Sequence, residues 1–188
     1  MPHSWPRSYV RISSRKPVQS GYSAIVIRME LVGVRVEVPA NTPVVVLREQ
    51  TGPQRLLPIV IGSPEASAIH AALEGIQPPR PLTHDLLVSV LAELGSTLQS
   101  IVITEIRDHV FFAELHLRTG ERDHVMSCRP SDAIALAVRT GSPIFATEGL
   151  LLEAGQAVEE EEEDGNEAII DEFLDFLDDL DPDDFKKS

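Results

Sequence analysis

The sequence predicts an α+β domain: a duplicated β-β-β-α-α unit whose strands form one curved, mostly antiparallel or mixed sheet with helices packed against it. Three observations lead there. Alternating apolar residues mark short strands. Helical stretches with start and stop signals follow the third strand of each set. The whole order then occurs twice within the 188 residues.

Residues 31–38 alternate, with Val32, Val34, Val36 and Val38 on one face and Gly33, Arg35 and Glu37 on the other, as in a half-buried strand. A Pro-Asn-Pro turn at 39–43 leads to a second strand at 44–47, and Thr51-Gly52-Pro53 turns the chain into a third at 56–61. Ser63 as N-cap and Pro64 in the first turn open a helix that Gly75 ends. After the rigid connector Pro78-Pro79-Arg80-Pro81, Thr83 is the expected N-cap of a second helix, with Gly95 as its stop. The order repeats: strands at 98–107, 110–117 and 122–128, a helix at 130–140 closed by Gly141, and a short helix at 148–154. A shift of 66 residues lays Pro64 on Pro130, Ala71 on Ala137 and Gly75 on Gly141.

Composition sets the limits. One cysteine, Cys128, excludes an intrachain disulfide and suits a reducing compartment. No apolar run reaches the ~18–20 residues that span a bilayer, and no signal peptide is legible, so the expectation is a cytoplasmic protein without a membrane partner. Residues 1–28, rich in Ser, Arg and Pro, read as a disordered extension, with Met1 and Met29 both candidate starts. The domain occupies 29–155, an acidic linker 156–166, and an acidic amphipathic helix and tail 167–188. Ile169, Ile170, Phe173, Leu174, Phe176, Leu177 and Leu180 form an apolar stripe on that helix, which docks on its own domain or on a partner subunit. With the half-exposed sheet, it predicts a homodimer.

Net charge is −14, concentrated at the end: residues 156–188 hold fifteen acids and two lysines. Residues 1–28 hold five basic residues and no acid, and 29–155 hold nine arginines and fifteen acids. The domain lacks the basic stripe of a strong duplex binder, so nucleic-acid contact must be local and arginine-based.

Several ordered segments resemble the bifunctional nuclease family, also called DUF151: Gly33-Val34-Arg35-Val36-Glu37, Leu57-Pro58-Ile59-Val60-Ile61-Gly62, Arg80-Pro81-Leu82-Thr83-His84-Asp85-Leu86, and Arg129-Pro130-Ser131-Asp132-Ala133-Ile134-Ala135-Leu136-Ala137. The ending Asp181-Pro182-Asp183-Asp184-Phe185 is similar to the close of many bacterial members. The resemblance covers about residues 31–185. It implies a compact, often dimeric α+β domain that cleaves RNA and DNA with little sequence preference. It does not name the catalytic residues.

Phosphodiester hydrolysis needs an activated water and stabilisation of charge on phosphate. Three constellations offer this. Thr83-His84-Asp85 starts a helix, with Arg80 just ahead to bind phosphate; the alternative is that Thr83 caps and Asp85 complements the helix dipole. Arg129-Pro130-Ser131-Asp132 repeats the arrangement, with Asp132 a base or metal ligand, or a capping carboxylate paired with Arg129. Glu65 is its counterpart in the first repeat, offset by one position. Glu114 and His116 share a sheet face, with Asp123 and His124 on the paired strand; they are a metal site or a solvated surface. His70 and His109 read as surface and turn residues. The preferred site joins Arg80, His84, Asp85, Arg129 and Asp132, with Asp132, His84 and Asp85 catalytic and the two arginines holding substrate. The cofactor is unassigned, a divalent metal ion being one option. The competing class is a non-enzymatic binding or regulatory module acting through the acidic tail.

Overall fold

The structure, a computed structural model, describes residues 25–37 and 41–157. The expected acidic helix and tail at 167–188, and the linker beyond 157, lie outside the described residues. In chain order the elements are β1 (Val26–Glu37), β2 (Thr42–Glu49), β3 (Leu56–Val60), α1 (Ser63–Leu73), α2 (Thr83–Glu93), β4 (Ser96–Arg107), β5 (Val110–Thr119), β6 (Arg122–Cys128), α3 (Pro130–Thr140), β7 (Ile144–Thr147) and α4 (Glu148–Ala154).

The seven strands form one mixed sheet in the order β3-β2-β1-β7-β4-β5-β6. Each repeat supplies an antiparallel meander, β1-β2-β3 and β4-β5-β6. The short β7 joins them at the centre, antiparallel to β1 and parallel to β4. This strand was not expected. It is four residues long, too short for alternation to stand out, yet Ile144 and Ala146 point into the core. The second repeat is thus β-β-β-α-β-α.

The alternation of the opening strand also needs correction. A bulge at Val32 resets the register, so Leu31 pairs with Leu47 and Val34 with Val45. Leu31 and Val34 pack against the core, whereas Val32 and Val36 stay exposed. In β5 the expected alternation holds: Phe111, Ala113, Leu115 and Leu117 take the helix side. Between β4 and β5, Asp108 (φ 50°) and His109 (φ 63°) both adopt left-handed backbone, as a two-residue hairpin turn of the favoured twist requires.

Helix α3 organises the core. Pro130, Ser131 and the run Ala133, Ile134, Ala135, Leu136 and Ala137 are all buried. Alternating small side chains let α3 lie close to β4 and β5 while α1 and α2 pack beside it. Gly141 closes it at φ 68°, where a side chain would be strained. The helices α1 and α3 start at N-caps Gly62 and Arg129, so the repeats superpose at these starts with a shift of 67, one more than the sequence alignment used. Glu65 and Asp132 then hold the same third helical position.

The boundaries at both ends shift. Strand β1 begins at Val26, and Val26, Ile27 and Arg28 pair with Thr147, Ala146 and Phe145. Residues 26–28 therefore belong to the sheet and not to the disordered extension expected over 1–28. A chain begun at Met29 loses those pairings and the bond from Gln50 N–H to the Arg28 carbonyl. It is expected to lose about 2–4 kcal/mol, a melting temperature lower by on the order of 5–10 °C. A chain begun at Ile25 serves as the comparison; equal melting of the two would show that the β1–β7 pairing adds little. At the other end, Gln156 exchanges two 2.8 Å backbone bonds with Leu56, so the position expected to open the linker is tied to β3.

Candidate functional site

Helices α1, α2 and α3 each begin without a capping side chain at the N-cap, which is Gly62, Leu82 and Arg129 in turn. Thr83 and Ser63, expected as caps, are the first helical residues instead. Each helix carries an acid at its third position, Glu65, Asp85 and Asp132, where the positive end of the helix dipole favours it.

The three acids behave differently. Asp85 turns back on its own helix and accepts the Leu82 N–H at 2.9 Å, and its other oxygen accepts Arg139 Nε at 2.5 Å. Arg139, with the Leu82 N–H, holds this carboxyl below its ordinary range. Asp85 therefore anchors α2 to α3, and its hydrogen bonds go to Leu82 and Arg139. Asp132 forms a fork with the N-cap residue of its own helix, Arg129: Nε to Oδ2 at 2.8 Å and Nη2 to Oδ1 at 3.0 Å. The same Oδ1 lies 3.2 Å from His84 Nε2. Burial pushes the Asp132 carboxyl up, but Arg129 and His84 outweigh it and hold it below the usual range. Glu65 completes the cluster, with Oε1 2.8 Å from Arg129 Nη2.

The two helix starts thus meet. His84 from one repeat and Arg129 with Asp132 from the other form a contiguous group, with His84 nearly buried and Arg129 65% exposed. Arg80 sits on the connector before α2, exposed and without a side-chain partner among the described residues. Two contributors escaped the sequence reading. Glu65 was legible only as a counterpart offset by one; its role in gripping Arg129 depends on α1 packing against α3. Arg139 had no signal, because its partner lies 54 residues earlier in the chain. Gly62 also matters: a Cβ there would run into the Glu65 carboxylate. Gly62→Ala is expected to push Glu65 off Arg129 with little loss of stability, read as a melting temperature close to wild type.

The third constellation divides. Glu114, His116 and Asp123 share the sheet face away from the helices, but His124 pairs with Leu117 and takes the opposite face. His116 Nε2 lies 3.4 Å from Glu114 without a hydrogen bond, and Asp123 is fork-bonded to Arg118. Among the described residues no group of three or more His, Cys, Asp or Glu comes together to hold a metal ion. In the helix-start cluster a guanidinium already fills the space between the two carboxylates. The donor set does not fit a protein-held ion, and no chemical step is assigned to one. Burial, then the charges of Asp132 and Glu114, push the Cys128 thiol up to about 12, so it stays protonated and inert.

The seven-stranded mixed sheet and its four helices make an α+β fold among the described residues. The bifunctional nuclease domain model matches residues 45–159. An uncharacterized protein of Mycobacterium tuberculosis is 42% identical over 163 residues, covering 84% of this chain and 97% of the relative. Bifunctional nuclease 2 of Arabidopsis thaliana is 30% identical over 117 residues, 61% of this chain and 36% of that protein. Bifunctional nuclease 1 of the same plant is 30% identical over 122 residues, 63% of this chain and 38% of that one. The chain belongs to the bifunctional nuclease domain family. No helix among the described residues is long and apolar enough to cross a membrane.

Proposed function

We propose that the chain hydrolyses phosphodiester bonds of RNA and DNA with little sequence preference, at the surface where His84, Arg129 and Asp132 meet. The observation that carries this reading is the contact of His84 with Asp132 beside an exposed arginine. The names of the plant relatives support the reaction class. Arg129 and Arg80 meet the phosphate, and the N–H groups that open α3 lack helical partners and add donors. By accepting from His84 Nε2, Asp132 sets the tautomer that leaves Nδ1 basic.

A site acting on both DNA and RNA cannot rely on the 2′-hydroxyl, so water is the nucleophile. Water oxygen bonds to phosphorus while His84 Nδ1 takes its proton. The bond to the leaving oxygen breaks, and that oxygen regains a proton from His84 or from solvent. We place this activity in the cytoplasm and in a homodimer.

Purified protein incubated with RNA and with single-stranded DNA, each with and without chelator, tests the reading. Cleavage of both nucleic acids is expected, and it should persist in chelator. Binding of both without cleavage would favour the non-enzymatic module instead; Arg129, already neutralised by two carboxylates, is the feature that points that way.

A further inference from the structure

We propose that α2 is the face through which two copies of this chain associate. Helix α2 has the sequence THDLLVSVLAE, yet none of its residues is buried. Its inner side presents His84, Val88 and Leu91, of which His84 is nearly buried and the other two are partly buried. Its outer side, extended by one residue at each end, presents Leu82, Leu86, Val90 and Leu94 at intervals of four, 48, 55, 42 and 68% exposed, with Leu87 alongside at 41%. A helix this apolar is normally covered. The patch is on the order of 400–500 Å², within the range of a monomer's largest apolar patch, which is often functional.

The occupant that fits is a second copy. Charges flank the ridge and do not interrupt it: Asp85 is turned to Arg139, and Glu93 stands beside Leu94 at its C-terminal end. A charged partner would gain nothing from it, whereas two chains of net charge −14 can approach along such a neutral line. Ridges of i±4 spacing on two identical helices interlock at about −50°, and a two-fold axis lets the same ridge serve both chains. Doubling the patch and adding its rim gives on the order of 1,200 Å², the lower bound of a stable interface. One consequence rests on the nuclease reading. Within one chain α2 is held by Val88, Leu91 and two polar bridges, so association would fix the helix that brings His84 to Asp132.

Light scattering on the full chain tests the interface without reading cleavage, so its outcome is independent of the catalytic proposal. At about 50 µM, well above the dissociation constant of a micromolar complex, wild type is expected at twice the 20.7 kDa chain mass. The double variant Leu86→Glu with Val90→Glu should run at one chain mass with an unchanged circular dichroism spectrum, since both side chains are already exposed. Should that variant misfold, Val90→Cys in a Cys128→Ser background is the second measurement, expected to form a disulfide between chains. A single-chain mass for wild type would overturn the proposal and leave the ridge to residues 158–188 or to another protein. A folded double variant that stays dimeric, or failure of the Val90→Cys chains to cross-link, would overturn it in favour of another face.

Discussion

Asp132→Asn is expected to cut phosphodiester cleavage ~100-fold or more, the scale of losing a group that orients a catalytic base. The amide keeps the size of the side chain and can still accept from Arg129. It loses the charge that grips and orients His84. The fold should survive: the change removes one charge from a helix start, a cost of about 0.5–2 kcal/mol. Cleavage rates measured beside melting curves separate the two effects. A variant that cleaves normally would leave Asp132 a capping and pairing residue and move attention to Glu114 and His116.

Arg55→Met should produce the largest loss of stability. Arg55 is 13% exposed and Glu49 3%. The guanidinium bonds Glu49 at 2.9 and 3.1 Å and Glu148 at 2.9 and 3.2 Å, tying the β2–β3 connection to the start of α4. Removing it leaves Glu49 a buried charge without its cation, a cost of about 3–5 kcal/mol, or roughly 10–15 °C in melting temperature. Hydrogen bonding to Arg55 holds the Glu49 carboxyl below its ordinary value of 4.5. A depressed value means that the stabilisation is present above pH 4.5 and is lost as pH falls through the lower folded value. In the variant that protection is gone, so the gap between wild type and variant should narrow on acidification. A gap that stays constant from pH 7 to pH 3 would show that Glu49 does not depend on Arg55.

The fold was legible where local pattern and packing agree. Gly141, the Asp108-His109 turn and the alternation of Phe111, Ala113, Leu115 and Leu117 each carry a local signal that the three-dimensional packing leaves intact. The rest depends on distant partners. Ile144–Thr147 becomes the central strand only because β1 and β4 flank it, and four residues cannot show that alone. The bulge at Val32 is permitted by Gly33, whose φ of 153° few side chains tolerate, and is placed by pairing with β2. In the candidate site, His84 and Asp132 were both legible as helix-start residues, but their contact spans 48 positions. Asp85 was grouped with His84 at the same helix start. Arg139, invisible in sequence terms, draws it away. Glu65 was misplaced by one position, because the repeats superpose with a shift of 67 at the helix starts and the three matching residues indicated 66.

Whether His84 and Asp132 act together, as proposed, is read by a double-mutant cycle. Cleavage of single-stranded RNA and DNA would be measured for wild type, His84→Asn, Asp132→Asn and the double variant. If the carboxylate acts through the imidazole, the double variant should be no slower than His84→Asn alone. Losses that multiply would mean that the two residues act independently, and equal rates in all four proteins would contradict the site altogether.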